Sequence, residues 1–239
     1  RLVHNLTSIN AHNLQEIYDL VPQDILSSNY QTQLEYIQKE IKKDTRKAAL
    51  MFLRIAKHNI HMKTEFSIYR KLDRSDSSIE LRPHTIQKVL MNVLHTFFID
   101  FTNNGILVDV DNYYGKVQMD YETIQVALYH LIENASKYTK PNSRIKVQFI
   151  ELEQSVEILF TMTSLFIEEE EIDKIFTEGY SGKEARNCEV NGDGIGMWRI
   201  KQMMHLNKGD ISIIRGTPKV ISDGRGYAVN RVLLKFLKK

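Results

Sequence analysis

The stretch that most restricts this chain is residues 31–72, which contain neither glycine nor proline. Along it Leu34, Ile41, Ala48, Ile55, Met62 and Tyr69 recur every seven residues. Ile37, Met51 and Leu72 fill the companion seam, and Asp44, His58 and Glu65 interrupt it. That spacing predicts a long helix packed in a bundle or coiled coil. A helix of about 40 residues is about 60 Å long and cannot cover its own apolar stripe. Residues 2–20 predict a shorter helix with Leu2, Leu6, Ile9, Ile17 and Leu20 turned inward, and Pro22 with Ser27-Ser28-Asn29 marks the turn between the two. The simplest arrangement is an antiparallel hairpin over residues 1–73. Two such hairpins from two chains would form a four-helix bundle, so a homodimer is expected; the alternative is a two-helix piece docked on something else.

The polar run Asp73–Ser78 breaks this pattern, and residues 82–239 alternate strands with helices. Helices are expected at 84–103, 121–138, 168–176 and about 197–205. Strands are expected at 106–109, 116–119, 144–151, 155–162, 210–215 and 227–236. The fold class is therefore α+β, a helical hairpin followed by an α/β sandwich. Lys and Arg number 32 against 30 Asp and Glu, so charge gives no case for nucleic acid or an anionic membrane surface as partner. Cys188 is the lone cysteine, which suits a reducing, cytoplasmic setting. No apolar run reaches the length of a membrane helix. The chain begins at Arg1 without methionine, and a fragment of a longer, perhaps membrane-bound, protein is expected.

Two clusters carry chemistry. In His130–Thr139 an amide, Asn134, stands three residues before Lys137 on one helix face, suited to a magnesium ion and a phosphate. In Gly192-Asp193-Gly194-Ile195-Gly196-Met197 glycines open a helix, where free backbone N–H groups favour phosphate. Each alone reads equally as a solvated helix end or a flexible loop. In this order, with strands and a helix between them, they resemble the sensor histidine kinases. Leu131–Thr139 resembles that family's asparagine box, Ile175–Ser181 its phenylalanine box, Gly192–Met197 its second glycine box, and Gly224-Arg225-Gly226-Tyr227 its usual ending.

The resemblance implies the Bergerat-type (GHKL) sandwich shared with gyrases, heat-shock chaperones and mismatch-repair ATPases, and ATP with Mg2+ as ligands. By motif position Asn134 would hold Mg2+, Lys137 would touch phosphate and Tyr138 would pack on the adenine. Gly192, Gly194 and Gly196 would border the triphosphate. Residues 177–191 would be a mobile lid whose Lys183 and Arg186 meet phosphates, or are simply solvated charges. The family's first glycine box falls on Met162, Ser164 and Phe166, so its adenine-binding aspartate and both glycines are missing. Thr161 or Thr163 is the expected substitute hydroxyl, and Phe166 is expected to crowd the base. Glu168–Glu171 reads as an acidic helix start.

The family also implies a phospho-acceptor histidine on the hairpin. His4 in His4-Asn5-Leu6-Thr7-Ser8 is the first candidate and His12 the second, with a surface role the alternative for both. His61 sits too near the end of its helix. The implied activity is a two-component transferase, autophosphorylated on histidine and passing phosphate to a response regulator. The alternatives are a non-catalytic signalling module of the same fold and, less favoured because His130 replaces the usual glutamate, an ATP hydrolase.

Overall fold

A computed structural model describes residues 2–73, 78–189 and 192–238. The chain divides between residues 75 and 76 into two compact units. Parts of the expected boundary (74–77) and of the expected lid (190 and 191) lie outside the described residues.

The first unit is helical: α1 (Leu2–Tyr18), α2 (Gln23–Leu26), α3 (Tyr30–Lys43) and α4 (Thr45–Ile68), ending in a π turn at Tyr69–Asp73. α1 lies antiparallel to α4, with Asn5 bonded to Glu65 (2.8 Å), Asn13 to His58 (3.0 Å) and Glu16 to Arg54 (3.2 Å). The single long helix expected over 31–72 is two helices. Asp44 adopts φ −143° and ψ 81°, and its carboxylate caps α4 by accepting from the Lys47 N–H at 2.8 Å. A residue that satisfies orphan N–H groups competes with helix continuation. The break lets Tyr36, Ile37 and Ile41 of α3 pack on a core of Leu20, Val21, Ala48 and Met51.

The second unit has β1 (Arg82–Thr85), α5 (Ile86–Leu94), α6 (Phe98–Asn103), β2 (Leu107–Val110), β3 (Lys116–Met119), α7 (Tyr121–Tyr138), β4 (Arg144–Glu151) and β5 (Ser155–Leu165). It continues with α8 (Lys183–Asn187), α9 (Gly196–Leu206), β6 (Asp210–Ile214), β7 (Val220–Ser222) and β8 (Arg225–Leu237). The main sheet has the order β2-β4-β5-β8-β6, with β7 also on β8; β2 and β4 are parallel and the rest antiparallel. β1 and β3 form a separate antiparallel pair. α5, α7 and α9 pack side by side. They cover the sheet face carrying Ile145, Val147, Ile158, Phe160, Val232 and Leu234, all buried. On the other face Val229 and Leu237 stay exposed, the alternation expected of a sheet covered on one side.

Sequence and structure differ here in several places. The helix expected over 84–103 begins at Ile86 and is split into α5 and α6 by a 3-10 turn at His95–Phe97. The helix expected over 168–176 is two short 3-10 turns, Glu169–Glu171 and Lys174–Phe176. β5 runs three residues beyond its expected end, because Thr163, Ser164 and Leu165 keep pairing with Val229, Ala228 and Tyr227 of β8. α8, β1 and β7 were not expected.

Candidate nucleotide site

α7 is fixed at its N-terminal end. Asp120 caps it, accepting from the Thr123 N–H at 3.0 Å. Buried Asn207, just past α9, accepts from the Asp120 N–H (2.7 Å) and donates to the Thr123 hydroxyl (2.7 Å). The far end of α7 therefore comes to the start of α9 in a set register. There the half-buried Asn134 side chain faces Gly196: a Cβ on Gly196 would stand 3.5 Å from Asn134 Nδ2 and 3.6 Å from its Oδ1. Two segments about 60 residues apart thus bring an amide against a helix N-terminus. Ile195 gives that terminus no side-chain cap, so its backbone N–H groups remain for a ligand.

The glycine loop is stitched to the preceding one. Gly194 has φ +68° and its carbonyl accepts from the Gly179 N–H at 3.0 Å. A Cβ there would fall 2.5 Å from the Gly179 carbonyl carbon, so contact and conformation both demand glycine. Ser181 donates to the Gly192 carbonyl at 3.2 Å. Gly192 itself has no atom within 4 Å of where a Cβ would be.

The charges beside Asn134 are already engaged. Lys137 Nζ lies 3.0 Å from Glu133 Oε1. Burial opposes ionisation of Glu133, but His130 (Nδ1 3.5 Å from Oε2) and Lys137 outweigh it and hold its pKa down to about 2. His130 Nε2 faces Arg199 Nη1 of α9 at 3.4 Å, and both residues are buried. A guanidinium only donates, so Nε2 is the accepting nitrogen and Nδ1 carries the proton. Arg199, Glu133 and the buried carboxylates below were not found from sequence. The cue for Arg199 was a cation three residues past Gly196, visible only once α7 is known to cover it.

Residues 177–189, which include α8, are held by two buried carboxylates, Glu171 and Glu184. Burial opposes ionisation of Glu171 also, but backbone N–H bonds from Glu168 and Lys183 and the Tyr180 hydroxyl keep its pKa below the ordinary value. Glu184 pairs with Lys219 and accepts from the Gly226 N–H at 3.3 Å. So Glu171, expected only as part of an acidic helix start, anchors the loop. Lys183 Nζ sits 3.8 Å from Glu168, while Arg186 donates to the Ser181 carbonyl and lies over the Tyr180 ring. Both are exposed.

At the other side Tyr138 and Cys188 pack against a buried cluster of Leu165, Ala185 and Tyr227. Met162 is buried on the inward face of β5, where its sulfur accepts the Thr139 hydroxyl at 3.5 Å. Ser164 also faces inward and accepts from Asn230 at 2.9 Å. Thr161 and Thr163 alternate to the opposite face, so neither supplies the substitute hydroxyl expected from sequence. Phe166 is half-buried, bonded through its N–H to the Gly226 carbonyl (2.8 Å), with the Lys219 ammonium 5.2 Å from its ring. In the helical unit His4 and His12 are exposed on α1, and the ring of His12 lies 5.7 Å from that of His58.

Residues 119–235 match the family described as histidine kinase-, DNA gyrase B-, and HSP90-like ATPase. Sensor protein CiaH of Streptococcus pneumoniae is 24% identical over 202 residues, which are 81% of this chain and 46% of that protein. The chain spans less than half the length of the curated relatives it matches. Among solved structures, a mycobacterial sensor histidine kinase, MprB, superposes with a TM-score of 0.54 at 17% identity, covering 66% of this chain and 97% of that one. Acinetobacter baumannii histidine kinase AdeS also gives 0.54, at 14% identity, covering 98% and 96%. At these identities the structures show a shared fold. Among the described residues no helix is long and apolar enough to cross a membrane.

Proposed function

We propose, from the match of residues 119–235 to the histidine kinase-, DNA gyrase B-, and HSP90-like ATPase family, that this chain is the kinase core of a two-component sensor. In this reading it binds ATP with Mg2+, autophosphorylates on a histidine of its helical unit and hands the phosphate to a response-regulator protein, acting as a homodimer through residues 1–73. The observation that carries the reading is Asn134 set against Gly196 at the uncapped start of α9. An amide oxygen suits Mg2+, and converging backbone N–H groups suit phosphate, so the residues present fit the ligand.

ATP would supply the phosphoryl group, and Mg2+ would offset its charge. Asn134 would hold the metal, while Gly192, Gly194 and Gly196 would let backbone N–H groups approach the triphosphate. Lys137 would turn from Glu133 to phosphate. Lys183 and Arg186 would leave Glu168 and the Ser181 carbonyl to do the same. Tyr138 would pack on the base. On the helical unit, exposed His4 is the first candidate acceptor and His12 the second. Neutral imidazole is nucleophilic at neutral pH, and transfer depends chiefly on positioning. Asn5 has no carboxylate and is bonded to Glu65, so it would hold a neighbouring ring without taking its proton. Relatives named as sensor kinases support this reading over a non-catalytic module.

The test is incubation with ATP radiolabelled on its γ-phosphate and Mg2+. Acid-labile, base-stable labelling that disappears in His4→Ala is expected. No label at saturating ATP would end the kinase reading, and label surviving His4→Ala would move the acceptor to His12.

A further inference from the structure

Resting on the nucleotide-site reading above, we propose that this site selects its ligand by the triphosphate and not by the base, and that Met162 is the residue that removes base selectivity. Tyr138 stands four residues beyond Asn134, one helical turn on and on the same face of α7. The cluster it packs against is apolar: Leu165, Ala185 and Tyr227, with Cys188 on the same cluster. The polar groups next to that wall are spoken for. The Thr139 hydroxyl donates to Met162 Sδ. Ser164 Oγ accepts from Asn230, whose amide also donates to the Leu165 carbonyl (2.9 Å) and accepts from the Gly216 N–H (2.9 Å). Thr161 and Thr163 face away.

Met162 occupies the inward position of β5 directly across from Ile145 and Asn230, beside the end of α7. A carboxylate there would accept from an exocyclic amino group. A thioether is a weak acceptor and already has a donor. Sites built to hydrogen-bond one group reject analogues lacking it by orders of magnitude, whereas apolar pockets discriminate weakly. The phosphate end keeps Asn134, the glycine loop and the uncapped start of α9.

The experiment uses the whole chain with Mg2+ and ATP carrying an N-methylanthraniloyl group on the ribose, displaced by ATP, GTP or ITP. The expected result is competition within about 5-fold among the three. Met162→Asp should raise the preference for ATP over ITP by about 10-fold or more, since inosine lacks the amino group. Met162→Asn, which adds an acceptor without burying a charge, serves if the aspartate variant does not fold. A wild-type preference for ATP over ITP above about 30-fold overturns the proposal and leaves the site reading standing. A folded variant with wild-type ratios overturns the assignment to Met162. Failure of every nucleoside triphosphate to displace the probe overturns the site reading itself.

Discussion

Where α7 meets α9, Gly194 occupies a position that a side chain would spoil, Gly196 lies against the Asn134 amide, and the start of α9 has no side-chain cap. Where α7 meets β5, the same helix runs into an apolar wall: β5 stays zipped to β8 as far as Tyr227, and Tyr138 and Cys188 pack against Leu165, Ala185 and Tyr227. One end is thus built around backbone geometry and tolerates little change. The other is built from interchangeable apolar contacts. The contrast teaches that affinity for a nucleotide and choice of nucleotide reside in different parts of one cleft and can be altered separately.

The hardest blow to that contrast is Asn134→Ala. Removing the amide should lower Mg2+-dependent nucleotide affinity by about 100-fold or more, with little change in melting temperature because the side chain is only half-buried. Calorimetric titration with and without Mg2+ measures it. An unchanged affinity would mean that the phosphate end is not where the contrast puts it.

Next comes Gly194→Ala against Gly192→Ala. The first combines φ +68° with a Cβ 2.5 Å from the Gly179 carbonyl carbon, strain of about 1–3 kcal/mol relieved by parting the two loops. Loss of the Gly179–Gly194 hydrogen bond should appear as faster amide exchange at Gly179, with nucleotide affinity down by about 10-fold. The second has open space and should change affinity by less than about 2-fold. Equal effects would show that loop geometry is not the controlling feature.

The acid limb of stability sharpens the picture of the charges flanking Asn134. Glu133 has its folded pKa depressed to about 2, so the stability it contributes is complete above the ordinary carboxylate pKa and is lost as pH falls from about 4.5 toward 2. Its side chain keeps a quarter of its surface in solvent, so the contribution is about 1–2 kcal/mol at most. Denaturant titrations at pH 7 and pH 3 should show a smaller loss for Glu133→Gln than for the wild type. Equal losses would remove Glu133 as the sensitive group.

How far these features could be read from sequence depends on how local their causes are. The bounds of α7 were legible because apolar spacing and an aspartate cap act within a few residues, and β4 was legible from strict alternation. The meeting of Asn134 with Gly196 was legible only through resemblance, since nothing near either residue names the other. Glu171, Glu184 and Arg199 were not legible. Their partners lie from three to about 70 residues away, and a buried polar contact of that kind leaves no periodic trace. Asp44 did leave a trace, as an interruption of the apolar seam, but a count of heptads gives one polar residue less weight than its side-chain cap deserves.

The smallest predicted effect concerns the two threonines next to Met162. In a strand successive side chains point to opposite faces, and Met162 is buried inward with Phe160 and Ile158. Thr161 and Thr163 must then lie on the face that, among the described residues, no helix covers, level with exposed Arg231 and Val229 across the β5–β8 ladder. Their hydroxyls cannot reach a base packed on Tyr138 without a register shift, and such a shift would turn every inward residue of β5 out of the core. Thr161→Val and Thr163→Val should therefore leave nucleotide affinity and the ratio of ATP to ITP within about 2-fold of wild type. If either substitution changed that ratio by 10-fold, base contacts would have to come from the open face, and the division between a polar phosphate end and an unselective base end would fail.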